Sequence, residues 1–278
     1  MNSFLAYFDV QLAVQCLQVG AGLVMAITAA EILEQFQVYA KSGVLSWDLG
    51  RRTPQVANNS FIRRIGDFFY HDQRFEVLFA IRLGLGLGMA TCGFIDYLSP
   101  PLIAAAILSS LIVLYRANQG QDGSFQLRLL ILFVLFACSI SPSDSLAYKL
   151  GLYFLSAQLI LSYLIAGIAK LRGKTWRDGT GLTGIMGTVY HGIRWGHKIL
   201  AKRPTLTKVL SWSVITFEVL FPLVLTGNAW VIAGFLTITT LFHLATSFLM
   251  GLNGFFLSFA AAYPTLIFCL SELPWVKW

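Results

Sequence analysis

Charged side chains are scarce in this chain: Asp, Glu, Lys and Arg make up 12% of its 278 residues. Average soluble domains carry about twice that fraction. With 56% hydrophobic residues, twenty-two of them phenylalanine, the chain cannot be hidden in one soluble core of its length. Cysteine is also sparse. Cys16, Cys92, Cys138 and Cys269 all fall inside apolar runs with no CxxC or Cys/His spacing, which excludes a zinc or disulfide framework and leaves small buried hydrophobes. There are four histidines and no second His or Cys at ligand spacing from any of them, so no metal site is expected. No basic stretch precedes the first apolar run and no small-residue cleavage site follows it, so no cleaved signal peptide is expected. Nucleic-acid motifs are absent too. The net charge of +7 and pI near 9.3 instead reflect basic residues at helix ends beside aromatic belts, a distribution that suits anionic lipid headgroups rather than nucleic acid.

What is present is hydrocarbon-compatible length. A mean hydropathy of +0.70 and repeated apolar runs describe an all-α, polytopic transmembrane helix bundle forming a single integral membrane domain over residues 1–278. About eight spans are expected, at 10–33, 75–98, 100–117, 126–142, 146–170, 207–226, 229–250 and 254–273. The fourth is short, with Arg128 near its start and Ser139, Ser141 and Pro142 closing it, and reads as tilted or re-entrant. Two long connections, 34–74 and 171–206, are too polar for hydrocarbon yet aromatic, as expected of interfacial segments. In the first, Phe61 to Tyr70 surrounds Arg63, Arg64 and Asp67 with apolar residues, the pattern of a helix lying among headgroups. Six of the twenty Lys and Arg fall in the first connection and nine in 170–208, so the positive-inside rule predicts cytoplasmic long connections and external termini if eight spans is the count.

Several polar residues sit where lipid makes them costly. The stretch Tyr163 to Leu182 ends an apolar run on Lys170 and passes into Arg172, Lys174, Trp176, Arg177 and Gly179. A charge near a helix centre in the bilayer costs about 2.5–3.5 kcal/mol, so Lys170 either snorkels or has a task. Glu218 lies within a span, four residues before Pro222, where the helix backbone loosens. An intramembrane glutamate is a partner, proton carrier or base, and here either a functional group or a counter-ion to Arg82 or Lys170. Arg82 itself is expected in a structural ion pair with an acid such as Glu218 or Glu31. His243 shares a helical face with Thr246, Ser247 and Met250, as packed imidazole or as a working one. Gly84 and Gly88 form a GxxxG packing face that Gly86 widens. Between spans three and four, Arg116 to Arg128, including Asn118, Gln121 and Asp122, is a dense polar turn that either binds a headgroup or joins two antiparallel helices.

Taken together these residues resemble the horizontally transferred transmembrane domain family, bacterial relatives of the vitamin K-dependent gamma-carboxylases, over nearly the whole chain. The most specific element is Tyr163–Leu182, which looks like the family pattern of an apolar helix ending Ala-Gly, then Lys-Leu, then a Trp followed by Gly. The stretch Gly43 to Trp47, the Asp122-Gly123 turn with Gln126 and Arg128, the Phe217-Glu218 to Pro222 helix and the Phe242-His243 to Phe255 helix follow in order. The resemblance implies a bacterial inner-membrane protein, a quinone or quinol cofactor, and Lys170 as the base that deprotonates it. It further implies His243 and Glu218 as catalytic partners and Trp176, Arg128 and Asn118 as cofactor-binding residues. Only one of the carboxylases' two adjacent lysines is kept, at Ala169-Lys170. Their histidine before span four has no counterpart in Gln121 to Ser124, and no large lumenal portion follows the last span. The expected function is therefore quinone- or lipid-linked modification or maturation of a peptide or lipid, with lipid bilayer and peptide substrate as partners. The alternative is a non-catalytic accessory subunit of a larger membrane protein complex, binding lipids or pigments.

Overall fold

The computed structural model describes residues 9–40, 43, 46–52, 54–116, 123–143, 145–188, 191–273 and 275, and among these the secondary structure is helical with no strand. The protein is an all-α helix bundle. Its contacts divide it into two compact units, Val14–Tyr148 and, grouped with Met1–Ala13, Lys149–Trp278.

The unit Val14–Tyr148 contains α1 (Val10–Glu34), the short α2 (Trp47–Gly50), α3 (Pro54–Ala57) and α4 (Ser60–Phe69), then α5 (Asp72–Phe94), α6 (Pro100–Arg116) and α7 (Gly123–Ser139). Long apolar runs with few polar residues set the long helices. Asn59 starts α4 by accepting from the Phe61 and Ile62 amides, each at 3.1 Å. α4 is amphipathic as its sequence predicts: Phe61 and Phe68 are exposed, whereas Gly66 is buried, where it leaves room for the Trp47 indole. That indole donates to Asp67 at 2.8 Å and meets Tyr70 edge-on at 4.8 Å, so the polar connection is anchored to a cluster that includes Ala29, Phe75, Leu78 and Phe79.

α1 and α5 approach through small residues. A Cβ on Gly86 would lie 2.6 Å from the Ala26 amide nitrogen, and one on Gly22 only 2.5 Å from that of Ala90. The contact is thus a reciprocal pair of small-xxx-small faces, Gly22/Ala26 against Gly86/Ala90. This corrects the expected Gly84/Gly88 face: Gly84 has nothing near it and Gly88 faces the Leu102 side chain of α6. Glycines recur at every second position from Gly84 to Gly88, so the glycine pattern alone did not fix which side of α5 turns inward. Gln18 fastens the same pair of helices, donating to Met89 O at 3.2 Å and Tyr97 O at 3.0 Å.

The unit Lys149–Trp278 holds most of α8 (Leu146–Arg172), the short α9 (Lys174–Asp178), α10 (Thr180–Met186) and α11 (Arg194–Lys202), then α12 (Pro204–Leu220), α13 (Ala229–Met250) and α14 (Asn253–Ser271). Asp178 accepts from the Thr180 amide at 2.9 Å and hydroxyl at 2.6 Å, and these bonds hold its carboxyl below the usual range while they start α10. Pro222 lacks an amide donor, and the chain accordingly leaves α-geometry at Leu220 and winds as a 3-10 helix over Phe221–Thr226. Asn228 caps α13 through the Trp230 and Val231 amides. Gly251, at φ +67, ends it in the left-handed conformation that suits a residue without Cβ.

Helices stand at all eight expected spans. Six are long and apolar enough to cross a membrane: Val10–Glu34, Gln73–Phe94, Leu146–Arg172, Pro204–Thr226, Ala229–Met250 and Asn253–Ser271. α6 and α7 are apolar but only 17 residues each, and α7 begins three residues before its expected start. Outward-facing Phe94, Trp230 and Phe248 are more than 70% exposed, as befits an integral membrane protein whose solvent is lipid.

Candidate functional site

Five helices, α8, α9, α12, α13 and α14, build a polar cluster inside the unit Lys149–Trp278. On α8, Tyr163, Gly167 and Lys170 are spaced four and three residues apart and share one face. Gly167 carries no side chain toward α12; a Cβ there would lie 2.7 Å from the Val219 amide nitrogen and 2.9 Å from Glu218 Cβ. The close approach brings Glu218 to Lys170, whose Nζ donates to both carboxylate oxygens, at 2.8 and 2.7 Å. The Glu218 side chain is 4% exposed and that of Lys170 18%. Trp176 of α9 covers the ammonium, its ring centroid 5.2 Å from Nζ.

Two turns away along α8, Tyr163 OH and His243 Nε2 are 2.8 Å apart. Tyr263 of α14 joins them, with its hydroxyl 3.4 Å from that of Tyr163 and donating to Thr239 at 3.1 Å. His243 is 3% exposed, and its Nδ1 has no hydrogen-bond partner among the described residues. Phenylalanines enclose the group. Phe221 lies 4.2 Å from the Tyr163 ring centroid, Phe259 stacks on His243 at 4.4 Å, and Phe242 meets Phe217 at 5.0 Å. Tyr163 and Lys170 stand on one face of α8, so the imidazole and the ion pair are joined along the same helix face.

Beyond Phe217 an open groove of about 720 Å³ runs between α12 and α13, lined by Trp212, Thr216, Phe217, Leu220, Phe235 and Ile238, with Lys208 at one end. Trp212 is fixed there by donating to Arg177 O at 3.0 Å. Such a groove is wide enough and apolar enough for a lipid chain.

No protein family, characterised protein or solved structure matches this chain. The site therefore stands on its own chemistry: a bidentate ammonium–carboxylate pair, a tyrosine–imidazole hydrogen bond and an aromatic enclosure. It offers a titratable cation, a carboxylate able to take its proton, and an imidazole nitrogen with a free valence for hydrogen bonding.

Of the residues singled out from sequence, Lys170, Glu218, His243 and Trp176 come together. Glu218 serves as counter-ion to Lys170. Arg128 lies on α7 in the other unit, over the Phe125 ring at 5.4 Å, and Asn118 falls outside the described residues. Arg82 departs from expectation. It donates through Nη1 to Ser109 Oγ at 2.9 Å and Ser110 Oγ at 3.1 Å, and forms no ion pair among the described residues. Two adjacent hydroxyls on α6 lie within reach of Nη1 and supply dipoles without charge, while Nε has no hydrogen-bond partner among the described residues. Tyr163, Tyr263, Thr239 and Gly167 were missed as site residues. The spacing of Tyr163 and Gly167 from Lys170 was the available signal; nothing local marks Tyr263 or Thr239.

Proposed function

We propose that the Lys149–Trp278 unit carries a membrane-embedded proton-transfer site acting on a lipid-soluble hydroxyl compound of the quinol class, in the modification or maturation of a peptide or lipid. The observation that carries this reading is the buried Lys170–Glu218 pair standing beside the Tyr163–His243 hydrogen bond inside an aromatic enclosure. A buried ion pair contributes little to stability compared with apolar residues of the same size, because desolvation offsets most of the attraction. Its retention in a bundle otherwise built of Phe and Leu fits a chemical role better than a structural one.

The residues fit a quinol. His243 Nδ1 offers a proton or a lone pair to one ring oxygen, whichever tautomer is present, and the phenylalanines suit the ring faces. The groove beyond Phe217 suits a hydrocarbon tail. When bound, a quinol would supply an acidic hydroxyl and reducing electrons. Lys170 passes its proton along the 2.7 Å hydrogen bond to Glu218, and the resulting amine takes up the substrate's hydroxyl proton. Glu218 thus acts as the store for the proton that Lys170 must lose to become a base. Tyr163 holds the His243 ring so that Nδ1 keeps a fixed direction. The resemblance to the carboxylase membrane core supports the same assignment, since Lys170 corresponds to the base there.

Native mass spectrometry of gently extracted protein tests this. The expected result is a quinone-class or other long-chain ligand at near-unit stoichiometry, retained by the wild type and lost on His243→Ala. Lys170→Met combined with Glu218→Leu removes both charges together and should keep the fold and the ligand while abolishing cellular function. A fixed set of protein partners with no such ligand, and full function in the double variant, would overturn the reading in favour of an accessory subunit.

A further inference from the structure

We propose that Tyr163, Tyr263 and Thr239 lock His243 in the tautomer protonated at Nε2, so that its bare Nδ1 accepts from a ligand hydroxyl and the site selects the reduced, hydroxyl-bearing form of its ligand over the oxidised, carbonyl form. This rests on the quinol-class reading above and names which form is bound. It starts from where each proton goes. Thr239 spends its hydroxyl proton inside its own helix, on Phe235 O at 2.8 Å and Leu236 O at 3.1 Å, so toward a side chain it can only accept. Tyr263 OH donates to it at 3.1 Å. A phenol has one proton, so Tyr263 can in turn only accept from Tyr163, 3.4 Å away. Tyr163 then has no proton left for His243, and their 2.8 Å contact is Nε2–H donating to the phenol oxygen.

The opposite polarity makes fewer bonds. If Tyr163 donated to Nε2, its contact with Tyr263 would set two oxygens together with no proton between them, and a buried Nδ1–H would be left without an acceptor. The polarity that runs to Thr239 makes every bond and leaves one deficit, the Nδ1 lone pair. His243 is 3% exposed and its Nδ1 has no partner among the described residues, so whatever satisfies it must bring a donor. A quinol hydroxyl is a donor. A quinone carbonyl would oppose one lone pair with another, and a site built to hydrogen-bond a hydroxyl rejects an analogue without it strongly. Tyr163, Tyr263 and Thr239 act through His243 and are positioning residues.

The experiment is nitrogen NMR of the full, ligand-free chain labelled with heavy-nitrogen histidine, the His243 signals being assigned by their loss in His243→Gln. His243 should show a protonated Nε2 and a bare Nδ1. His197, whose Nδ1 lies 3.1 Å from Thr183 O and must donate to it, supplies the opposite reference. Tyr263→Phe with Thr239→Val removes the acceptors beyond Tyr163 and should move the His243 proton to Nδ1, a change that a packing role alone would not produce. Under anaerobic conditions decyl-benzohydroquinone should bind at least ~10-fold more tightly than decyl-benzoquinone or the dimethyl ether of the hydroquinone. A wild-type His243 protonated at Nδ1 would overturn the proposal while leaving the quinol-class site in place. The expected tautomer with equal binding of all three compounds would overturn the selectivity and leave a water at Nδ1. Binding of none of them would overturn the quinol-class reading itself, and the selectivity with it.

Discussion

Lys170 and Arg82, one in each unit, are handled in opposite ways. Lys170 meets a carboxylate; Arg82 meets two hydroxyls. A lysine is a cation that a protein can deprotonate, and a carboxylate is a partner that can take the proton, which is the property the proposed function draws on. The arginine is a fixed charge whose hydrogen-bond partners contribute only dipoles. The residue types carry the distinction, and burial gives it force.

The comparison breaks most readily at Glu218. Replacing it by Leu strands the Lys170 ammonium, and the loss of stability should reach about 3 kcal/mol, at the low end for a broken buried pair because Lys170 keeps some exposure. Denaturant or thermal unfolding in detergent would measure this, and adding Lys170→Met should recover most of it. In the other unit, Ser109→Ala with Ser110→Ala removes both acceptors from Arg82. A cost of about 1.5–3 kcal/mol is expected, less than for Glu218 because no charge partner is lost.

Close backbone approach is the next point of attack. Gly86→Leu and Gly167→Leu should each cost about 1–3 kcal/mol by forcing helices apart, while Gly84→Leu, with open space around it, should stay within about 0.5 kcal/mol of wild type. Equal effects at Gly84 and Gly86 would reject the α1–α5 register described here. The smallest change is Tyr163→Phe, which removes the bond to His243 at a cost of about 1 kcal/mol. Ligand retention should fall more than stability does, since the ring of His243 loses its fixed direction.

Helix positions were legible in the sequence because apolar length is a one-dimensional property. All eight expected spans coincide with helices, and α4 was recognisable from the alternation of Phe61, Ile65 and Phe68 with its charged residues. Helix rotation was not legible. In span two the one local sign was Arg82, which by its spacing of four and eight residues shares a face with Gly86 and Ala90; the glycine pattern alone pointed to Gly84/Gly88. Within the site, ionisable residues stood out against hydrocarbon, which is why Lys170, Glu218 and His243 were found. Tyr263 and Thr239 resemble ordinary membrane-helix residues, and only the folded chain brings their hydroxyls to Tyr163. The acid expected for Arg82 failed for a related reason: Ser109 and Ser110 on α6 lie within reach of its Nη1, and sequence does not tell which polar residues of another helix a guanidinium will meet.

Phe221–Thr226 winds as a 3-10 helix, which rises about 2.0 Å per residue against about 1.5 Å in an α-helix. Its six residues therefore reach about 12 Å rather than about 9 Å, so Pro222 lends its span a length that residue counting alone does not show.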